Sequence, residues 1–131
     1  MRWLTVVVVV VGVVPVMAAP IPAERLEAER IVGTWKMTRG AHGETDVHLE
    51  LDLYQSGRMV IRQRMPDGRL SIYQGSYRVI GDQMPYDVQQ GMNRKAETLT
   101  ITKLTDTELI VVDPDGLKEE FVRIKKDPRH K

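Results

Sequence analysis

From Gly33 onward, apolar and polar residues alternate with a period of two. The clearest stretch runs from Asp46 to Tyr54. Val47, Leu49, Leu51 and Leu53 share one face, while Asp46, His48, Glu50, Asp52 and Tyr54 share the other. This pattern predicts a half-buried strand in an antiparallel sheet. Gln55-Ser56-Gly57 then reads as a three-residue hairpin loop, with Gly57 taking the left-handed conformation. Pairing Tyr54 with Arg58 sets the register. Leu53 meets Met59, Leu51 meets Ile61 and Val47 meets Met65 on the apolar side. Glu50 meets Arg62 and His48 meets Arg64 on the other. A slip by one residue would destroy both sets of pairs.

The remaining punctuation divides the chain into similar pieces. Pro66-Asp67-Gly68 and Pro114-Asp115-Gly116 are turns of one type, and Gly81-Asp82 and Thr105-Asp106-Thr107 mark two more. Strands are expected at 34–39, 46–54, from Arg58, and at 69–79, 83–89, 97–103, 108–113 and 117–125. About eight short strands joined by hairpins predict an all-β, antiparallel up-and-down barrel, since closure removes the exposed edges. Leu70 and Ile72 fall out of step with Tyr77 and Val79, so a bulge or bend is expected at Gln74-Gly75. Gln89 to Ala96 has weak pattern and reads as a longer loop.

The ends differ from the middle. Residues 1–19 have a positive start at Arg2, a valine-rich centre and the small residues Val16-Met17-Ala18-Ala19, the three parts of a secretory signal peptide. The uncharged run from Trp3 to Ala19 is at the short limit for a spanning helix, and Pro15 suits a cleavage region better. Residues 20–32 form a lead-in, with a short capping helix over Pro22 to Arg30 that Gly33 stops. Residues 33–125 are the barrel domain. Residues 126–131 are a polar tail without periodicity, expected to be disordered. The protein is therefore expected outside the cytoplasm, periplasmic or extracellular, touching membrane only through the signal segment before cleavage.

Composition narrows the function classes. There is no cysteine, which removes disulfides and a lipid anchor. The chain beyond the signal segment is long enough for one core and too short for two. Losing Arg2 leaves equal numbers of basic and acidic side chains. That balance argues against nucleic acid, which rewards a basic excess.

Candidate chemistry is sparse. Asp46, His48, Glu50 and Asp52 could each ligate a metal, but alternate strand positions are roughly 6.5 Å apart, so one ion could bridge only two of them. With Arg62 and Arg64 opposite, a cross-strand charge ladder is the expected reading. His42 and His130 complete no cluster. Met37, Met59 and Met65 are expected as core filling rather than copper ligands, as are Met84 and Met92 by the same argument. Arg58, Arg62, Arg64, Arg69 and Arg78 around Tyr73 read as a solvated face. No nucleophile elbow, phosphate loop or paired histidines occur, and no catalytic residue, metal or cofactor is assigned.

A capping helix running into Gly33-Thr34-Trp35-Lys36, then Gly75-Ser76-Tyr77, Leu104 to Leu109, and a last strand with Phe121-Val122-Arg123 resemble small exported bacterial lipocalin-like proteins. The resemblance spans Ile31 to Lys125. It implies a small meander barrel with Gly33, Trp35, Tyr77, Phe121 and Arg123 as its structural signature, Trp35 closing one end beneath Arg123. It also implies a binding module for a small apolar or amphiphilic ligand; an enzyme is not expected, because the catalytic motifs above are missing. The alternative is a non-catalytic envelope interaction or structural protein with a filled barrel. Bulky inward residues (Trp35, Met37, Leu49, Leu51, Leu53, Met59, Ile61, Tyr77, Leu99, Ile101 and Phe121) predict a largely filled interior. Any ligand would then sit at the opposite, open end, near His42 to Glu44 and Gln89 to Lys95.

Overall fold

The structure, a computed structural model, describes residues 28–46 and 48–129. The signal segment, most of the lead-in, Val47 (and with it the expected Val47–Met65 pair), His130 and Lys131 lie outside the described residues. Eight strands run in order: β1 Gly33–Arg39, β2 Leu49–Leu53, β3 Arg58–Arg64, β4 Leu70–Tyr77, β5 Gln83–Gln90, β6 Asn93–Leu104, β7 Glu108–Val112 and β8 Lys118–Lys125. Each pairs antiparallel with the next, and β8 pairs back onto β1, closing the barrel.

The β2–β3 hairpin has the register that its side-chain pattern demands. Glu50 pairs with Arg62, Leu51 with Ile61 and Leu53 with Met59, while the Arg64 amide donates to the His48 carbonyl at 2.9 Å. Three loops share one design. The amides of Tyr54, Met65 and Asp113 donate to the carbonyls of Arg58, Arg69 and Leu117 respectively. Gly57, Gly68 and Gly116 close these loops at φ of 93°, 91° and 85°, a conformation that would strain any other residue.

One core occupies the barrel. Trp35, Leu51, Leu53, Met59, Ile61, Leu99, Ile101 and Phe121 join Ile31, Tyr77, Met84, Tyr86, Val88, Leu109 and Val111 within it. Leu49 and Tyr73 are half-buried against it. Met37, Met59 and Met84 are core side chains, while Met92 is fully exposed at a hairpin tip.

Several details depart from the sequence expectations. Gly75 carries no bulge: β4 pairs without a register break on both sides. The phase conflict disappears because Leu70 and Ile72 face outward, 48% and 36% exposed, while Ser71, Tyr73, Gly75 and Tyr77 face in. Gly75 serves a close approach instead, since a Cβ there would lie 1.9 Å from the Asp87 carbonyl oxygen. The register breaks occur between Thr34 and Trp35, Met37 and Arg39, and Ile101 and Lys103. Gln89 to Ala96 is no long loop. Gln90 pairs with Asn93 across a two-residue turn led by Gly91 at φ 57°, and β5 and β6 extend through the segment. Of the expected helix only Ala28 to Arg30 is among the described residues. It ends in a turn at Ile31, and Gly33 opens β1 rather than capping the helix. Lys126 to Arg129, expected as part of a disordered tail, fold into a turn in which Arg129 bonds Asp127.

Candidate functional site

The two ends of the barrel differ. One is closed by Trp35, which is fully buried and donates its indole N–H to the Ile31 carbonyl at 2.8 Å. The Arg123 guanidinium lies 4.3 Å from the ring centre. Its Nε donates to the Asp106 carbonyl, Nη1 to that of Val32 and Nη2 to that of Arg30, each at 2.6 Å. One cation thus joins the last strand, the β6–β7 loop and the lead-in. Burial weakens its hold on its proton and the Asp106 carboxylate strengthens it. Gly33 makes room for this cation: a Cβ there would meet Arg123 Nη1 at 2.4 Å and the Lys125 carbonyl oxygen at 2.6 Å.

Tyr77 and Phe121 are elsewhere in the same core. The Tyr77 hydroxyl donates to the Tyr54 carbonyl at 2.8 Å, and burial pushes its pKa up to about 12. Phe121 is opposite both Met37 and Leu109. All five signature residues therefore pack the barrel, and Gly33, Trp35 and Arg123 meet directly.

The acidic side chains on β2, Glu50 and Asp52, are both held by Arg62, while Arg64 donates to the Gly68 carbonyl at 3.0 Å instead of extending the expected ladder. Arg62 pairs with Asp52 through both oxygens and reaches Glu50 at 3.0 Å, and these hydrogen bonds raise its pKa. Thr34 donates its hydroxyl to Asp52 at 2.8 Å. Asp52 is buried, at 6% exposure, rather than solvated as its place in the alternation suggests. Among the described residues, no group of three or more His, Asp or Glu side chains is placed to hold a metal ion.

The other end opens into a cavity of about 650 Å³. Met37, Leu49 and Met65 are on its apolar wall, Gln63, Arg64, Lys95 and Glu119 are among its polar side chains, and the 40–44 loop is at its rim. That loop is shaped by backbone bonds from Gly40 to Glu44 and from Gly43 to Gly40. The Glu44 carboxylate folds back to accept the His42 amide at 3.0 Å and crowds Gly40, where a Cβ would meet it at 2.2 Å. Lys95 lies over the Tyr73 ring, 5.9 Å from its centre.

Electrostatics set this end apart. Burial raises the pKa of Glu119, and the charges of Glu97, Asp113 and Glu44 raise it further, with Lys95 opposing them. Burial also raises Tyr86, helped by its hydrogen bond to Glu97. The sequence pattern points to the loops of this mouth but not to Lys95, Glu97 and Glu119 as inward groups. Glu97 is opposite Tyr86 and Glu119 opposite Val111, so both stand at inward positions in their ladders. Alternation along β6 carries that signal for Lys95 and Glu97. It is masked because charged residues are ordinarily assigned to solvent.

No protein-family model matches this chain, and no curated protein matches it in sequence. Its fold does have solved counterparts. It is similar to a lipocalin-like protein from Bacteroides uniformis, with TM-score 0.58 and 18% identity over 72% of this chain and 99% of that one. It is also similar to an uncharacterized protein from Bacteroides eggerthii, with TM-score 0.54 and 15% identity over 71% of this chain and 98% of that one. The chain has a lipocalin-like fold. At such identities the likeness extends to the barrel alone.

Proposed function

We propose that this chain is an exported, non-catalytic, lipocalin-like domain that holds a small amphiphilic ligand in the open mouth of its barrel. The observation that carries this reading is the cavity of about 650 Å³ at the end opposite Trp35. Its size falls within the range of ordinary small-molecule sites, and its wall mixes apolar side chains with a few polar ones. Trp35, Leu53, Met59 and Met84, each at most 1% exposed, fill the other end, so a ligand stops at the mouth. Export rests on the three-part pattern of residues 1–19.

Titration with N-phenyl-1-naphthylamine, a neutral apolar fluorophore, tests the site. Saturable binding is expected, and Leu49→Trp, which fills the mouth, is expected to abolish it. Absence of binding, or binding indifferent to Leu49→Trp, refutes the reading.

A second reading has one observation in its favour. Leu70 and Ile72 stand side by side on the outer face of β4, both exposed, as an envelope partner would require. Substituting both with Ser, followed by cross-linking in the native compartment, separates it from ligand binding.

A further inference from the structure

We propose that the ligand of the mouth is a cationic amphiphile whose ammonium head is seated at Glu119. This rests on the reading that the mouth is the binding site. Glu119 is on β8 opposite the fully buried Val111, so its carboxyl group turns into the barrel and forms part of the cavity wall. Among the described residues no cation stands within ion-pairing distance of it. The two basic side chains of the same cavity are engaged elsewhere, Lys95 over the Tyr73 ring and Arg64 donating to the Gly68 carbonyl at 3.0 Å. The other charged groups acting on Glu119 from neighbouring elements are Glu97, Asp113 and Glu44, all of its own sign.

Two kinds of surface therefore meet in one hollow. Met37, Leu49 and Met65 present an apolar wall for an alkyl or aryl body. Glu119, without an ion pair among the described residues, presents an acceptor for a charged N–H or a counter-charge for a quaternary ammonium. The surroundings of Glu119 favour holding a proton, and an ammonium group supplies the same positive charge without that proton. A carboxylate head would meet the same field with the wrong sign. The selection is local, because the whole chain carries a formal charge of only +1.

Three ligands with one body and different heads test the proposal: decyltrimethylammonium, decanoate and decanol. Each is titrated calorimetrically at neutral pH, below its micellar concentration. Decyltrimethylammonium is expected to bind about tenfold or more tightly than decanoate, the ratio one charge-assisted contact supplies. Glu119→Gln is expected to remove this preference while decanol binds as before. The unmodified protein gives a parallel check, since its affinity for the cation should fall as acid protonates Glu119. Decanoate binding as tightly as the cation overturns the ligand class, while loss of its binding in Leu49→Trp would leave the mouth in place as the site. A cation preference that survives both Glu119→Gln and acid overturns the assignment of the head to Glu119. Failure of all three ligands to bind overturns the mouth reading and this proposal together.

Discussion

Arg123 stacks on Trp35 at 4.3 Å while giving hydrogen bonds to three backbone carbonyls, those of Arg30, Val32 and Asp106. The ring gains a lid, and the lead-in and the β6–β7 loop gain a shared anchor. Trp35→Ala is expected to cost about 3 to 5 kcal/mol, because the indole is fully buried. Arg123→Lys should still destabilise the fold, since an ammonium cannot reproduce the planar fork that reaches all three carbonyls. Urea denaturation measures both. A Lys variant as stable as the parent would show that the fork geometry is unimportant.

Gly33 and Gly68 offer a controlled pair. Both have positive φ, but a Cβ at Gly33 would strike Arg123 and the Lys125 backbone, whereas nothing lies within 4 Å of one at Gly68. Gly68→Ala should show only the backbone penalty, about 1 kcal/mol. Gly33→Ala should cost clearly more and weaken the Trp35–Arg123 contact. Thermal melts of the two variants, with Trp fluorescence as a local probe, check the difference; equal losses would count against steric exclusion.

Asp52 is buried between Thr34 and Arg62. Asp52→Ala leaves a buried hydroxyl without its acceptor and Arg62 with Glu50 alone, an expected loss of about 1 to 3 kcal/mol. Thr34→Val combined with Asp52→Ala should cost less than the sum of the single changes, because both remove one shared bond. Additive losses in denaturation would show that the bond contributes nothing.

Glu119 predicts a slope of stability with pH. Its folded pKa lies above the ordinary 4.5 through burial and the charges of Glu97, Asp113 and Glu44. The folded state therefore binds more protons than the unfolded state just above that value. Stability contributed by this group is present below pH 4.5 and is lost as pH rises through the raised value. Glu119→Gln should flatten the profile, gaining on the parent at neutral pH and losing that advantage in acid. Melting temperatures across this range decide it, and parallel profiles would contradict the environment described for Glu119.

Processing is expected to remove residues 1 to about 19. Mass spectrometry of protein recovered from its native compartment should find no intact amino terminus; Met1 retained on the exported protein is the contrary result.

Alternation and turn chemistry alone specify the β2–β3 hairpin, because a one-residue slip would turn Leu51 and Leu53 outward and Glu50 inward. The repeated Gly-closed loops and the count of eight strands were legible for the same local reason. Other features had no local signature. Leu70 and Ile72 look like core residues in isolation, yet β4 turns Tyr73 and Tyr77 inward, and period-two geometry leaves the intervening side chains no choice. Gly75 resembles a bulge because the sequence cannot show that Asp87 comes within 1.9 Å of its missing Cβ. Asp52 reads as solvated because its cover comes from Arg62 and Thr34 on neighbouring strands.

The sequence by itself determined the all-β class, the β2–β3 register and the loops closed by Gly57, Gly68 and Gly116, because these depend on spacing along one strand or across one hairpin; the meeting of Trp35 with Arg123 was implied by the family resemblance alone. Only the tertiary structure decided the mouth. Met37, Leu49, Met65, Lys95 and Glu119 come from separate segments, and closing the barrel brings them around one cavity. The charge balance in that cavity depends on which of these side chains face inward together, and no single stretch of the chain carries that information.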